Sequence, residues 1–212
     1  MQLQNYYYYF QNVLTPRFCD EVVKYGISQL EQLALTGGQT TKIEEGKNLK
    51  DEDIVDLKKK RDSNIVWLND RWIYKEIQPF IHQANKLAGW NFDWDWSESC
   101  QFTKYKLNQF YDWHCDSWES SYNNPENLNV HGKIRKLSVT CSLSDPKDYK
   151  GGELEFDFRN MDPDKKSVRK CAEISPRGSV VVFPSHVWHR VKPVTKGTRY
   201  SLVIWNLGYP FK

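Results

Sequence analysis

The chain has 212 residues, room for one domain with a real hydrophobic core. A net charge of +3 is too small to argue for nucleic acid, and no apolar run approaches membrane-spanning length. Five separated cysteines without a CxxC pair, behind an opening MQLQNYYYYF that is no secretory signal, read as reduced thiols in a cytoplasmic protein.

In chain order, YYYYF reads as a strand running into a helix start. Thr15-Pro16 supplies an N-cap and a proline at the first helical position, and Phe18, Val22, Tyr25 and Leu30 form an apolar face. That helix is predicted to reach about Leu35 and to stop at Gly37-Gly38. Residues 39–63 mix blocks of both charge signs and read as a solvated loop. A second helix is predicted from about Asp70 to Leu87 on Ile73, Ile77, Ile81 and Leu87, with Pro79 threatening a kink. From Gly89 onward the period changes. Phe92, Trp94 and Trp96 alternate with polar residues, as on a strand. Further strands are predicted at 100–107, 110–116, 135–143, 152–158, 171–174, 179–183, 187–191 and 198–206. Turns carry Asp145-Pro146, Gly151-Gly152, Asp162-Pro163, Pro176-Arg177-Gly178 and Lys196-Gly197. Thirty-one aromatic residues, nine Trp, twelve Tyr and ten Phe, suit strands and a lined pocket. The expected fold class is mainly β (α+β), a sandwich or barrel with supporting N-terminal helices, in one domain: residues 1–90 for support, 91–212 for the core.

The chemistry concentrates in YKLNQFYDWHCDSW, residues 105–118. On a strand His114 and Asp116 leave the same face. The HxD pair alone is a weak signal; the region around His189, with Arg199 ten residues later, strengthens it. Two imidazoles and a carboxylate form the facial triad of non-haem Fe(II), which leaves coordination positions open. Zinc more usually takes Cys or a third His. Arg199 offers a buried fork for the far carboxylate of a 2-oxo diacid, at about 1.5–3 kcal/mol per charge-assisted bond. Ser201 and Trp205 share its strand face, one to add a hydroxyl and one to wall the pocket. His186 should leave the strand opposite to His189; His82 and His131 read as bland. Trp113 and Trp118 flank the site as candidate substrate platforms. The polar stretch 117–134 reads equally as a lid or a surface loop.

Three blocks, 105–116, 135–156 (RKLSVTCSLSDPKDYKGGELEF) and 176–205, together resemble the 2-oxoglutarate and Fe(II)-dependent dioxygenases, most closely the prolyl 4-hydroxylase-like group. The resemblance implies a double-stranded β-helix of jelly-roll type. It implies His114, Asp116 and His189 as iron ligands, Arg199 on 2-oxoglutarate, Tyr105 hydrogen-bonding that cosubstrate and Trp205 near the reaction cavity. Asn108 stands where the group usually has Gly before Gln109. O2 is the implied second cosubstrate, with ascorbate a candidate accessory. The implied reaction is hydroxylation of a peptide or protein residue, proline favoured, with succinate and CO2 released. The competing readings are a dioxygenase acting on a nucleobase or free amino acid, and a non-catalytic metal-binding jelly roll. No membrane and no nucleic-acid partner is expected.

Overall fold

The computed structural model describes residues 5–36, 42–43, 46–117, 120–159 and 167–211; Gly37-Gly38, Trp118 and Asp162-Pro163 lie outside them. Two antiparallel sheets carry the fold. The larger runs β1 (Tyr8–Phe10), β12 (Val180–Pro184), β8 (Ile134–Ser142), β15 (Arg199–Gly208), β6 (Cys100–Tyr105), β4 (Asn64–Leu68) and β2 (Gln32–Leu33), with β5 (Trp96–Ser97) on β15. The smaller runs β11 (Val168–Lys170), β10 (Leu154–Asp157), β13 (Trp188–Val191), β7 (Phe110–His114) and β3 (Arg61–Asp62). A two-stranded piece joins β9 (Tyr149–Gly151) to β14 (Val194–Gly197). This sheet-rich, antiparallel arrangement is the expected jelly-roll type.

Helices cover one face of the larger sheet. Helix α1 (Pro16–Ser28) starts as its sequence dictates: Thr15 Oγ1 accepts the Phe18 N–H at 3.1 Å. It buries Phe18, Cys19, Val22 and Gly26. A Cβ on Gly26 would stand 2.5 Å from the Phe102 ring, so glycine sets how close helix and sheet come. Helix α3 (Arg71–Leu87) runs through Pro79 without a break and buries Ile73, Ile77, Ile81 and Ala84. These pack with Phe102, Val139, Leu202 and Ile204 into the main core. A second core, with Phe156, Phe183, Val191 and Val194, fills part of the space between the sheets.

Several expectations need correction. Helix α1 ends at Ser28, not near Leu35. Leu30 is exposed, and Gln32 and Leu33 instead pair with Ile65 and Asn64, so sheet pairing wins over an extended helical face. The 39–63 stretch is not all loop: Asp51–Lys60 forms helix α2 and leads straight into β3. Its charges are sorted, with Asp51, Glu52 and Asp53 in the first turn and Lys58, Lys59 and Lys60 in the last, which complements the helix dipole. The 92–96 alternation yields only the two-residue β5, and Asn91 (φ 51°) turns the chain before it. Residues 172–174 form a 3₁₀ turn where a strand was expected, and β4 and β14 were unforeseen. The first ninety residues thus supply four strands besides the helices. The five cysteines are free thiols. Among the described residues no helix is long and apolar enough to cross a membrane.

Candidate metal and cosubstrate site

His114 is the last residue of β7 and sits opposite His189 of β13 in register. Three steps of β7, from Tyr111 to His114, span what two steps cover on β13, from Val191 to His189. That bulge puts Tyr111 and His114 on one face, and their rings stack at 3.5 Å and 12°. Asp116 lies beyond the strand, held by its N–H donating to Ser185 O at 2.8 Å. The strand expected over 110–116 therefore stops short, yet His114 and Asp116 still converge.

One ligand atom from each of His114, Asp116 and His189 lies within 4.8 Å of the others. The Nε2 atoms of His114 and His189 are 3.8 and 3.6 Å from the Asp116 carboxylate, too far to be hydrogen-bonded to it. Each ring donates from Nδ1 to a backbone carbonyl instead, His114 to Asp112 at 2.7 Å and His189 to Val187 at 3.0 Å, which leaves Nε2 as the free acceptor. Burial, reinforced by His189, holds His114 well below the ordinary imidazole range, so it stays neutral. Burial alone would raise Asp116, but His189, His114, Arg135 and the Ser138 hydroxyl outweigh it and keep the group an anion. Two imidazoles and a carboxylate, their donor atoms converging, fit a ferrous ion.

The larger sheet faces this trio with an unusual wall. Register puts Ser201 between Ser142 and Thr103, Val203 between Thr140 and Gln101, and Trp205 beside Ser138. All of these except Val203 are buried. Arg199 lies at the end of the same face, opposite Tyr105, 3% exposed, with its guanidinium 5.5 Å from the Tyr105 ring. Its Nη1 donates to Ser201 Oγ at 3.2 Å, and among the described residues it has no acidic partner. A buried cation beside hydroxyls is a receptor for a carboxylate. The glycine pair makes room for it: at Gly152 (φ +66°) a Cβ would sit 2.8 Å from Arg199 Cδ. Asn108 takes a left-handed conformation (φ 66°), which Asn tolerates better than most residues, and Gln109 Oε1 accepts the Lys106 N–H at 2.8 Å. The turn before β7 is kept without glycine.

Trp205 is buried on the Arg199 face, and among the described residues its Nε1 has no hydrogen-bond partner. Trp113 does not join the group. It packs under the Arg190 guanidinium (4.5 Å), and Arg190 leaves β13 opposite to His189. Trp118 lies outside the described residues. His186 is exposed, and His82 stacks on Trp94 at 4.5 Å. Burial pushes the Cys115 thiol up, away from thiolate character. Within residues 120–134 the chain is tied down: Tyr122 pairs its backbone with Gly132 and Lys133 and donates its hydroxyl to Glu98 at 2.7 Å.

Residues missed from sequence cluster here. Arg135 is paired with Glu98 through two bonds (3.0 and 2.5 Å) and stacks 3.9 Å over Trp205; although burial disfavours its charge, Glu98 raises it further. Arg61 stacks 4.4 Å over Tyr111, whose phenol burial pushes up to about 12, only partly offset by Arg61. The hydroxyl wall did leave a signal. LSVTCSLS, residues 137–144, alternates apolar and hydroxyl residues; a strand buried on both faces with one polar face marks a ligand chamber.

Residues 100–206 match the 2OG-Fe(II) oxygenase superfamily. A PKHD-type hydroxylase of Synechococcus sp. (strain JA-2-3B'a(2-13)) is 39% identical over 79 residues, 37% of this chain and 32% of that protein. The PKHD-type hydroxylase YbiX of Escherichia coli O157:H7 is 37% identical over 105 residues, 49% of this chain and 40% of that one. The chain thus spans less than half the length of these relatives. The viral collagen prolyl hydroxylase of Paramecium Bursaria Chlorella virus-1, in its 2OG complex, shares the fold at TM-score 0.62 and 19% identity over 97% of both chains. A Trichoplax adhaerens prolyl hydroxylase, solved with a hypoxia inducible factor peptide fragment, does so at TM-score 0.64 and 17% identity, over 96% of this chain and 84% of that one. A family match over half the sequence, on a sheet pair that gathers a His-Asp-His trio opposite a buried arginine, leads to one statement: this chain belongs to the 2OG-Fe(II) oxygenase superfamily.

Proposed function

We propose that the chain is an Fe(II)- and 2-oxoglutarate-dependent hydroxylase of a peptide or protein residue, with proline the favoured target. The observation that carries it is the His114/Asp116/His189 trio sharing one chamber with a buried Arg199 that has no acidic partner among the described residues. The PKHD-type and prolyl hydroxylase names of similar proteins support the peptide substrate.

His114, Asp116 and His189 would hold the metal, each through the atom its surroundings leave free. When bound, ferrous iron supplies the O2 chemistry that couples 2-oxoglutarate decarboxylation to hydroxylation. Arg199 and Ser201 would bind the distal carboxylate and Tyr105 would add a phenol, fixing the cosubstrate end to end. The buried walls around Trp205 exclude water from the reacting face. The helical and strand regions act as one catalytic unit.

The test is succinate release with Fe(II), 2-oxoglutarate and O2, for the wild type and His189→Ala, with mass spectrometry of proline-containing peptides and of oligonucleotides. Wild-type succinate release with a +16 Da peptide supports the reading. Oxidation of a base or free amino acid with unmodified peptides overturns the substrate, and no succinate from the wild type overturns the activity.

A further inference from the structure

On the far side of the larger sheet lies a second cavity, of about 840 Å³. It opens between the end of α3, residues 90–95, the start of β8 and the segment after β15. His82, Trp90, Trp94, Tyr209 and Phe211 wall it, and Lys136 belongs to its lining. The rings brace one another: His82 stacks on Trp94, and Phe92 meets Phe211 edge-on at 4.7 Å.

Lys136 reaches this cavity through a bulge. Leu137 pairs with Asn206 and Arg135 with Leu207, so Lys136 has no opposite residue. The extra residue sends Arg135 over Trp205 on the metal side and Lys136 into the cavity on the helix side. Lys136 is 5% exposed. Its ammonium lies 4.3 Å over the Phe211 ring, with no hydrogen bond or ion pair among the described residues. Lys133 next door differs, because Asp95 pairs with it at 2.6 Å. Burial pushes the Lys136 amine down, and Asp93 at the rim only partly offsets this. A buried cation with no direct ion pair, and only an exposed carboxylate near it, is unfavourable unless an anion reaches it.

We infer that this cavity is a second ligand site, distinct from the metal chamber, for a small planar carboxylate: an aromatic acid whose ring stacks between Trp94 and Tyr209 and whose carboxylate pairs with Lys136. The size suits a ligand of that class with room to spare. The site calls for a charge the ligand must bring, which separates it from a surface that stacks any apolar group.

The test titrates the full chain with indole-3-acetate and its neutral isostere indole-3-acetamide, read by ligand-observed NMR. The expected result is binding of the acid, at least about tenfold weaker binding of the amide, and a similar loss in Lys136→Met. Lys136→Arg should retain the acid, and Trp94→Ala should weaken both probes; thermal melts certify that each variant folds. Arg199→Met should bind the acid as the wild type does. The inference is overturned if acid and amide bind alike, if neither binds up to about 10 mM, if folded Lys136→Met binds as the wild type, or if Arg199→Met abolishes binding. It is overturned equally if an oligoproline peptide, and not the acid, occupies the cavity.

Discussion

His114 and His189 face each other across neighbouring strands, ring centroids 4.1 Å apart, each imidazole turned by a bond from its Nδ1 to a carbonyl two residues back. The backbone itself aims both Nε2 atoms at Asp116. His189→Ala should therefore abolish metal binding and succinate release, a loss beyond the roughly 10–100-fold seen when only an outer-shell partner goes. Calorimetric titration with Mn(II) under nitrogen measures the first; retained affinity would remove His189 from the ligand set.

Arg199→Met should act on 2-oxoglutarate and spare the metal. Losing one charge-assisted bond of about 1.5–3 kcal/mol raises KM by about ten- to a hundredfold, and losing a second raises it further. Gly152→Ala should move KM the same way with Arg199 intact, because the new Cβ would press on Arg199 Cδ. Unchanged KM in both variants would place the cosubstrate elsewhere.

Acid should weaken the metal-free protein through His114. Its folded-state pKa lies below the ordinary value of 6.5, so the unfolded chain takes up the proton first. The contribution is complete above about pH 6.5 and is lost as pH falls towards the folded value. Urea midpoints in EDTA should drop below that pH in the wild type and drop less in His114→Asn. Equal slopes would deny the burial effect.

Glu98→Ala should strip Arg135 of its Glu98 carboxylate beside Trp205. Both side chains are largely buried, and removing one partner of such a pair costs about 3–5 kcal/mol. Differential scanning calorimetry should show the loss, and the double variant Glu98→Leu/Arg135→Met should recover much of it. Faster amide exchange at Tyr122 would accompany the single change, since its hydroxyl loses Glu98.

Asn108→Val should destabilise by about 1–2 kcal/mol, because a β-branched residue resists φ 66°. Asn108→Gly should be near neutral. Chemical denaturation decides, and a neutral valine would mean that the turn relaxes.

Much of this was readable in the residues. Ile73, Ile77 and Ile81 gave α3, and Thr15-Pro16 gave the start of α1, because caps and period-3.6 faces are local. The trio was readable through spacing and resemblance. Helix α2 was hidden because its apolar face buries only Leu57, so sorted charge, not hydrophobic period, marked it. Trp113 looked like a site residue because it flanks His114 in sequence, although strand alternation already sends it to the other face; what alternation cannot foresee is the bulge that brings Tyr111 onto the His114 face. Arg135, Glu98 and Arg61 were invisible for a different reason: their partners lie 37, 37 and 50 positions away along the chain.

The unpaired residue in β8 is a self-contained insert, because both of its neighbours already have consecutive partners on β15. Deleting Lys136 would close the bulge and set Arg135 directly beside Leu137, still opposite Leu207 and still on the metal side, while the aromatic cavity would lose its ammonium. Loss of this one residue should consequently abolish anion capture on the helix side and spare the metal chamber.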